Sequence, residues 1–280
     1  MSHPTVRHAL LPALLLAAAA AAGACSEIGT DPGAAVSINF DSLPAPAVVE
    51  GDTLRDDSTG VATPLAAVAF NASGGVVANA PFTYVVRDTG GALDVVSGNY
   101  LVARKPRTAD VTVLATLGSV QFARAIAIVP RPDSLFFVRD DTLALAYPDT
   151  ATVRTKNLAT DGLGVRVVHD TSTFPADTVG VRSWIVFFSI DSSAGTPAAK
   201  LADSVWLTDA AGRQTSIDTT DTRGVATIHV RVFAKQQPAT VLRDSVIVRA
   251  IARYKGADLP TGRPDDEPQR LVLTVVGGRP

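Results

Sequence analysis

The chain has 280 residues, 46% of them hydrophobic and 19% charged, with a formal net charge of -2. That length suits two domains better than one. Acidic and basic residues are interleaved along it, so no basic stripe exists to neutralise a run of phosphates and nucleic-acid binding finds little support. The single Cys excludes any intramolecular disulfide, which leaves packing and hydrogen bonds to hold the fold.

The first element is a leader. Met1–His8 is short and polar, with Arg7 supplying positive charge, and Ala9–Leu16 with the alanines up to Ala22 then make one apolar run. The run is too short to cross a bilayer comfortably and ends in small residues, the layout of a secretory signal peptide over residues 1–24. No later segment is apolar for long enough to be a transmembrane helix, so the mature chain is expected to be soluble or covalently anchored. Residues 25–35, with Gly29, Pro32 and Gly33, read as a short tether.

Beyond the tether, helical periodicity is nearly absent, and short β-rich runs recur between turn clusters of Gly, Asp, Asn, Ser and Pro. Strands are predicted over Val36–Phe40, Val48–Leu54, Leu65–Asn71, Phe82–Val86, Tyr100–Ala103, Thr108–Thr116 and Val120–Val129. Gly51-Asp52, Ser73-Gly74-Gly75, Thr89-Gly90-Gly91 and Ser97-Gly98-Asn99 supply the reversals between them. Pro130-Arg131-Pro132 breaks the pattern, since proline cannot donate to a sheet ladder, and the domain boundary is placed there.

The second domain spans residues 131–277. Its clearest strands are Ser134–Val138, Ser183–Ser189, Ser204–Leu207, Gly224–Val232, Asp244–Tyr254 and Arg270–Val276. Trp184-Ile185-Val186-Phe187-Phe188 is apolar on both faces and reads as a central strand, whereas Ile228, Val230 and Val232 alternate with His229 and Arg231 as an outer strand does. The pattern is weak from Asp161 to Arg182, which reads as part of an insertion over about 158–182. Asp258–Pro268 reads as a mobile connection.

Three resemblances follow from these residues. Ala22-Gly23-Ala24-Cys25 resembles the lipobox of bacterial lipoproteins, with Ala22 where that family prefers Leu. The resemblance implies a diacylglyceryl group on the Cys25 thiol, cleavage just before it, and Ser26 as a residue that does not retain the protein in the inner membrane. Cleavage of an ordinary Ala-x-Ala site after Ala24, leaving a free thiol, is the alternative. The first domain (36–130), on its Gly51-Asp52-Thr53 turn, Phe82–Val86, Tyr100–Ala103 and Ala109–Thr116, is similar to bacterial immunoglobulin-like domains of group 2. Tyr84 stands where that family usually has Trp. The second domain resembles the invasin-type group 1 module through Thr220-Asp221-Thr222-Arg223-Gly224-Val225-Ala226-Thr227, Trp184–Phe188 and Asp244–Ala250. An all-β fold of two immunoglobulin-like sandwiches in tandem is what these resemblances imply, and fold alone does not give function.

Little in the chain points to catalysis. His3 and His8 leave with the leader, His169 stands beside Asp170 without a metal-ligand spacing, and His229 lies on a polar strand face. A hydrolase triad has almost no Cys or His from which to be built. Asp56-Asp57, Asp140-Asp141, Asp218 with Asp221, and Asp265-Asp266-Glu267 read as turn residues. Asp218 and Asp221 are the best placed of them to ligate a hard cation such as Ca²⁺. Trp184 and Trp206 read as core or near-core residues, with a sugar-stacking platform as the alternative. The expectation is therefore a non-enzymatic, cofactor-free, exported lipoprotein of the outer membrane or cell surface. It would meet the membrane through its N-terminal anchor and present its modules for adhesion or as a spacer, with a protein or polysaccharide as partner. An accessory polysaccharide-binding or envelope-assembly subunit is the alternative.

Overall fold

The computed structural model describes residues 34–40, 43–138, 142–147, 158–159, 162–171, 177–191, 205–232, 243–261 and 270–277. Cys25, the leader and Phe174 lie outside them, as do Asp140, Asp141, Asp265, Asp266 and Glu267. Every regular element among the described residues is a strand. In chain order these are β1 (Ala35–Asn39), β2 (Ala47–Val49), β3 (Val68–Asn71), β4 (Val76–Val77), β5 (Thr83–Arg87), β6 (Leu93–Val96) and β7 (Tyr100–Ala103). Next come β8 (Val111–Leu117), β9 (Val120–Val129), β10 (Ser134–Phe137), β11 (Thr142–Tyr147), β12 (Leu158–Ala159), β13 (Leu163–Thr171) and β14 (Asp177–Gly180). The last are β15 (Ile185–Asp191), β16 (Val205–Thr208), β17 (Ile217–Thr219), β18 (Val225–Val232), β19 (Arg243–Tyr254), β20 (Ala257–Asp258) and β21 (Arg270–Gly277).

The sheets make the chain all-β, with sandwiches in tandem. Strands up to residue 129 form a three-stranded sheet in the order β1-β3-β4, a four-stranded sheet β2-β9-β8-β5, and the pair β6-β7. Those from residue 134 onward form two six-stranded sheets. One runs β10-β13-β18-β12 with β14 and β16 attached, the other β11-β21-β19-β15-β17 with β20 attached. Val165, Val167, Ile228 and Val230 of the first meet Val186, Phe188, Val248 and Ala250 of the second in one buried cluster. Antiparallel pairing dominates; β2 joins β9, and β11 joins β21, in parallel.

By its internal contacts the chain forms two compact units. The smaller takes in residues 34–40, 67–83 and 115–122, with Ile38, Phe40, Ala69 and Ala115 buried; the larger holds the other described residues. Within the larger unit the apolar cluster is continuous from Ala47, Val49, Ala127 and Val129 to Leu135 and on to Val248. Pro130, the predicted boundary, lies inside this larger unit.

One turn chemistry recurs. Asn71, Asp88, Asp209 and Asp221 each stand three residues before a glycine with positive φ, namely Gly74, Gly91, Gly212 and Gly224. At Asn71, Asp88 and Asp221 the side chain accepts the amides of the second and fourth residues beyond: Ser73 and Gly75, Gly90 and Ala92, Arg223 and Val225. Asp209 accepts the amide of Arg213, its fourth. A short side-chain acceptor thus replaces backbone partners at the bend, and glycine takes the left-handed position that any Cβ would strain.

Two stretches depart from the predicted pattern. The supposed insertion contains β12, β13 and β14, and β13 is a central strand between β10 and β18. Leu163, Val165 and Val167 alternate inward there, but Gly162 and Gly164 break the apolar rhythm that would have marked a strand. A Cβ on Gly162 would stand 2.4 Å from Thr227 Cγ2, so the missing side chain makes room for a neighbouring strand. Trp184–Phe188, read as buried on both faces, buries only one: Val186 and Phe188 point into the core, while Phe187 lies on the other side beneath the Arg253 guanidinium, 5.6 Å from its ring centre. The strand is β15, one position from the sheet edge at β17.

The Thr220–Thr227 motif has a structural use. Thr220 is 4% exposed, and its hydroxyl donates to Val181 O (2.7 Å) while accepting the Trp184 amide (2.8 Å). Its backbone amide donates to Trp184 O and its carbonyl accepts the Ser183 amide. Gly224, at φ 80°, packs so closely that a Cβ would lie 2.7 Å from both Gly180 Cα and Val167 O. Thr220→Val keeps the shape but leaves the Val181 carbonyl and Trp184 amide short of a partner. Chemical denaturation should show a loss of about 2 kcal/mol, and Thr220→Ser should recover most of it.

Candidate functional site

A polar cluster in the larger unit is centred on a single carboxylate. Gly51 reverses the chain after β2 and presents Asp52, whose Oδ1 accepts the Thr53 amide (2.8 Å) and Arg55 Nη2 (2.9 Å). Asp52 Oδ2 accepts Arg55 Nε (3.0 Å), the Tyr254 hydroxyl (2.8 Å) and Lys255 Nζ (3.2 Å). Tyr254 is 202 residues away in sequence and closes β19 just before the Lys255-Gly256 turn. Arg55 also donates to Gly60 O (3.0 Å), tying the carboxylate to the loop that follows it.

The backbone fits this contact as closely as the side chains do. A Cβ on Gly60 (φ 70°) would fall 2.0 Å from Gly256 N, and one on Gly256 (φ 79°) would fall 2.8 Å from Thr59 O. Two glycines therefore let two loops touch through their main chains. Around them Trp184 meets Tyr254 edge-on with ring centres 6.2 Å apart. Arg131 and Lys255 lie over the Tyr254 ring at 5.8 and 5.2 Å. Arg182 and Asp110 form a further ion pair in the same unit.

Electrostatics push these groups away from neutral pH. Burial pushes the Asp52 carboxyl up, but the hydrogen bonds from Arg55, Tyr254, the Thr53 amide and Lys255 outweigh it and hold the group well below the usual carboxylate range. Burial, then the facing Asp52 carboxylate, pushes the Tyr254 phenol up to about 12. Asp56 is lowered to about 2 by the Ser58 hydroxyl and by the Thr59 amide and hydroxyl. A carboxylate ionised this firmly and a phenol this reluctant are poorly matched to proton transfer at pH 7. The adjoining cavity is about 30 Å³, room for about two water molecules, and is lined by Pro46, Asp57, Ser183 and Trp184 besides the cluster. Asp57 is the carboxyl there that is raised, by burial and by the Asp56 charge.

Of the residues singled out from sequence, Trp184, Asp56 and Asp57 border this site and the others fall elsewhere. Asp221 is spent on its own turn and on Arg223, with Arg223 Nη2 at 3.1 Å, and Asp218 accepts the Thr227 amide at 2.6 Å. No group of three or more His, Cys, Asp or Glu among the described residues is placed to hold a metal ion. His169 Nδ1 lies 2.7 Å from Asp133 Oδ2, which also accepts the Asp170 amide. Trp184 is half-buried against Tyr254, whereas Trp206 is 39% exposed. Strand alternation explains the difference, for the neighbouring Leu207 is the residue that points inward, opposite Val230. Cys25 lies outside the described residues. Asp52 was visible in sequence only as a turn residue, and nothing marked Tyr254 as its partner.

The fold and this site define a tandem β-sandwich protein braced internally by a carboxylate latch. No protein-family model matches the chain, and no curated protein matches it. Solved structures align with it at low identity. Domains 1–6 of the surface layer protein SbsC match at 11% identity over 87% of this chain and 28% of that one, with a TM-score of 0.29. Human protocadherin-24 EC1-2 matches at 11% identity over 88% of this chain and 100% of that one (TM-score 0.26). Titin domains Z1Z2 match at 13% over 88% and 100% (TM-score 0.24).

The latch gives a signed pH dependence. The Tyr254 pKa is higher in the folded chain than its ordinary 10.0, so its contribution is complete below pH 10 and is lost as pH rises through about 12. Denaturation midpoints at pH 9 and pH 11 (~1 unit either side of the ordinary value) should fall further for the wild type than for Tyr254→Phe. Gly60→Ala should cost more than about 1 kcal/mol at any pH, because it adds both strain and a main-chain clash.

Proposed function

We propose that the protein is an exported, non-enzymatic envelope lipoprotein. It is anchored through Cys25 and presents two immunoglobulin-like modules, residues 36–130 and 131–277, for adhesion or binding or as a structural spacer. The observation that carries this reading is the Asp52 latch. Its charged and phenolic groups are consumed in holding chain segments together, and their pKa values lie far from those of working acids and bases. The continuous apolar cluster from Val49 to Val248 supports a structural role for the same reason. The apolar leader and the small residues before Cys25 support export and lipid attachment.

Intact mass of the protein from a bacterial membrane fraction tests the anchor. The wild type should begin at Cys25 and carry acyl mass, and Cys25→Ala should be released in soluble form. An unmodified, soluble wild type would overturn the lipoprotein reading and leave a secreted binding protein.

One observation favours the alternative of polysaccharide binding. Trp206 is exposed on β16, directly opposite Arg231 on β18, which pairs a stacking surface with a cation. On that reading Trp206→Ala should abolish retention on envelope polysaccharide without changing the denaturation midpoint. Equal retention of the two proteins would dismiss it.

A further inference from the structure

The described residues of the smaller compact unit carry no charge. Residues 34–40, 67–83 and 115–122 contain no Asp, Glu, Lys, Arg or His, in a chain where Asp, Glu, Lys and Arg make up 19% of residues. Its exposed side chains mix valines with neutral polar groups: Val36 is 50% exposed, Val68 40% and Val76 64%, and the exposed Ser37 and Asn39 of β1 stand opposite Phe70 and Val68. Val68, Phe70 and Val76 share one face, because Phe70 stands opposite Val76 in the β3–β4 pair and side chains two apart on a strand point the same way. Ala69, between them, is buried on the other face.

Turn chemistry points the same way. Where the Asx three residues before a positive-φ glycine accepts the amide four residues beyond it, the side chain is Asp at 88, 209 and 221, and Asn71 in the neutral unit. Asn71 Oδ1 accepts Ser73 N (3.1 Å), Ser73 Oγ (2.8 Å) and Gly75 N (2.8 Å), so the bend is as well satisfied without the charge. Neutrality here costs the fold nothing that Asp would have provided.

We propose that this neutral, valine-bearing face rests on the surface of a lipid bilayer. The inference deepens the lipoprotein reading and rests on it: Ala35 is the tenth residue after Cys25, which limits the span between them to about 35 Å at full extension. A face without ions gives up no ion hydration on approach, and exposed valines gain by leaving water. Because it holds no Lys or Arg, the contact draws nothing from anionic lipid and is indifferent to salt.

The test attaches the chain artificially, so that its outcome is independent of native lipidation. The mature chain made without its leader keeps one thiol, Cys25, which is coupled to a maleimide lipid in phosphatidylcholine vesicles. Amides of residues 36–39 and 68–76 should exchange with solvent severalfold more slowly on vesicles than in free solution, at low and high salt alike. Amides of residues 205–232 should be unchanged. The Val68→Asp/Val76→Asp variant alters exposed positions only, should keep the wild-type denaturation midpoint, and should lose the slowing. Equal rates with and without vesicles would overturn the proposal. So would slowing that appears without lipid and grows with protein concentration, which would assign the face to a second copy of the chain. Slowing that requires anionic lipid and vanishes in salt would overturn it as well.

Discussion

The larger unit depends on the satisfaction of the Asp52 carboxylate. A carboxylate taken out of water is costly unless its oxygens regain their hydrogen bonds, and here five donor atoms return them. The donors come from two remote places: Thr53 and Arg55 beside it, and Tyr254 with Lys255 some two hundred residues later. The carboxylate is therefore satisfied only when the Gly51–Gly60 loop and the β19–β20 turn are together. Buried ion pairs are weak evidence for stability, and their better-attested use is to fix one arrangement among many. The main-chain approach of Gly60 to Gly256 fits that use, for it allows little sliding between the two loops.

A second fixed point is linked to the first by direct contact. The Thr220 hydroxyl holds the Trp184 amide, the Trp184 ring meets the edge of Tyr254, and the Tyr254 hydroxyl donates to Asp52. Both ends of this path are polar groups that lose their partners together if the middle shifts. The apolar cluster beneath supplies non-directional attraction, and the polar path supplies the geometry that such attraction lacks. The short parallel pairing of β2 with β9 ends at Val49, immediately before the turn that carries Asp52, so the first sheet delivers the carboxylate to its place.

Local rules made much of the fold legible and almost none of the site. β7 and β9 have the bounds their sequences predict, and β18, β19 and β21 come within one residue of theirs, because alternation and flanking turn residues are local signals. The predicted turns each hold a positive φ, at Gly51, Gly74, Gly91 and Gly98 with Asn99. β13 escaped notice because Gly162 and Gly164, placed for close strand contact, imitate a loop. Trp206 was misplaced inward because its apolar neighbours conceal which parity faces the core. The latch was illegible for a different reason: Asp52 and Tyr254 are ordinary residues in ordinary places until the fold brings them to 2.8 Å. A single sequence records pattern along the chain and not pairing across it.

Charge is distributed by use rather than scattered. In the larger unit, aspartates bind the backbone of their own turns, as Asp56, Asp88, Asp209 and Asp221 do, or join segments, as Asp52, Asp110 and Asp133 do. Among its described residues the smaller unit performs the first task with Asn71 and has no Asp for the second. Since Asp and Asn serve this bend equally well, folding alone does not explain why the charged residue is missing there. A constraint acting on the surface does: every ion placed on that face would have to keep its water, and a face that meets lipid cannot let it. The same reasoning accounts for valines left exposed at positions 36, 68 and 76 on a unit whose core is already filled by Ile38, Phe40 and Ala69.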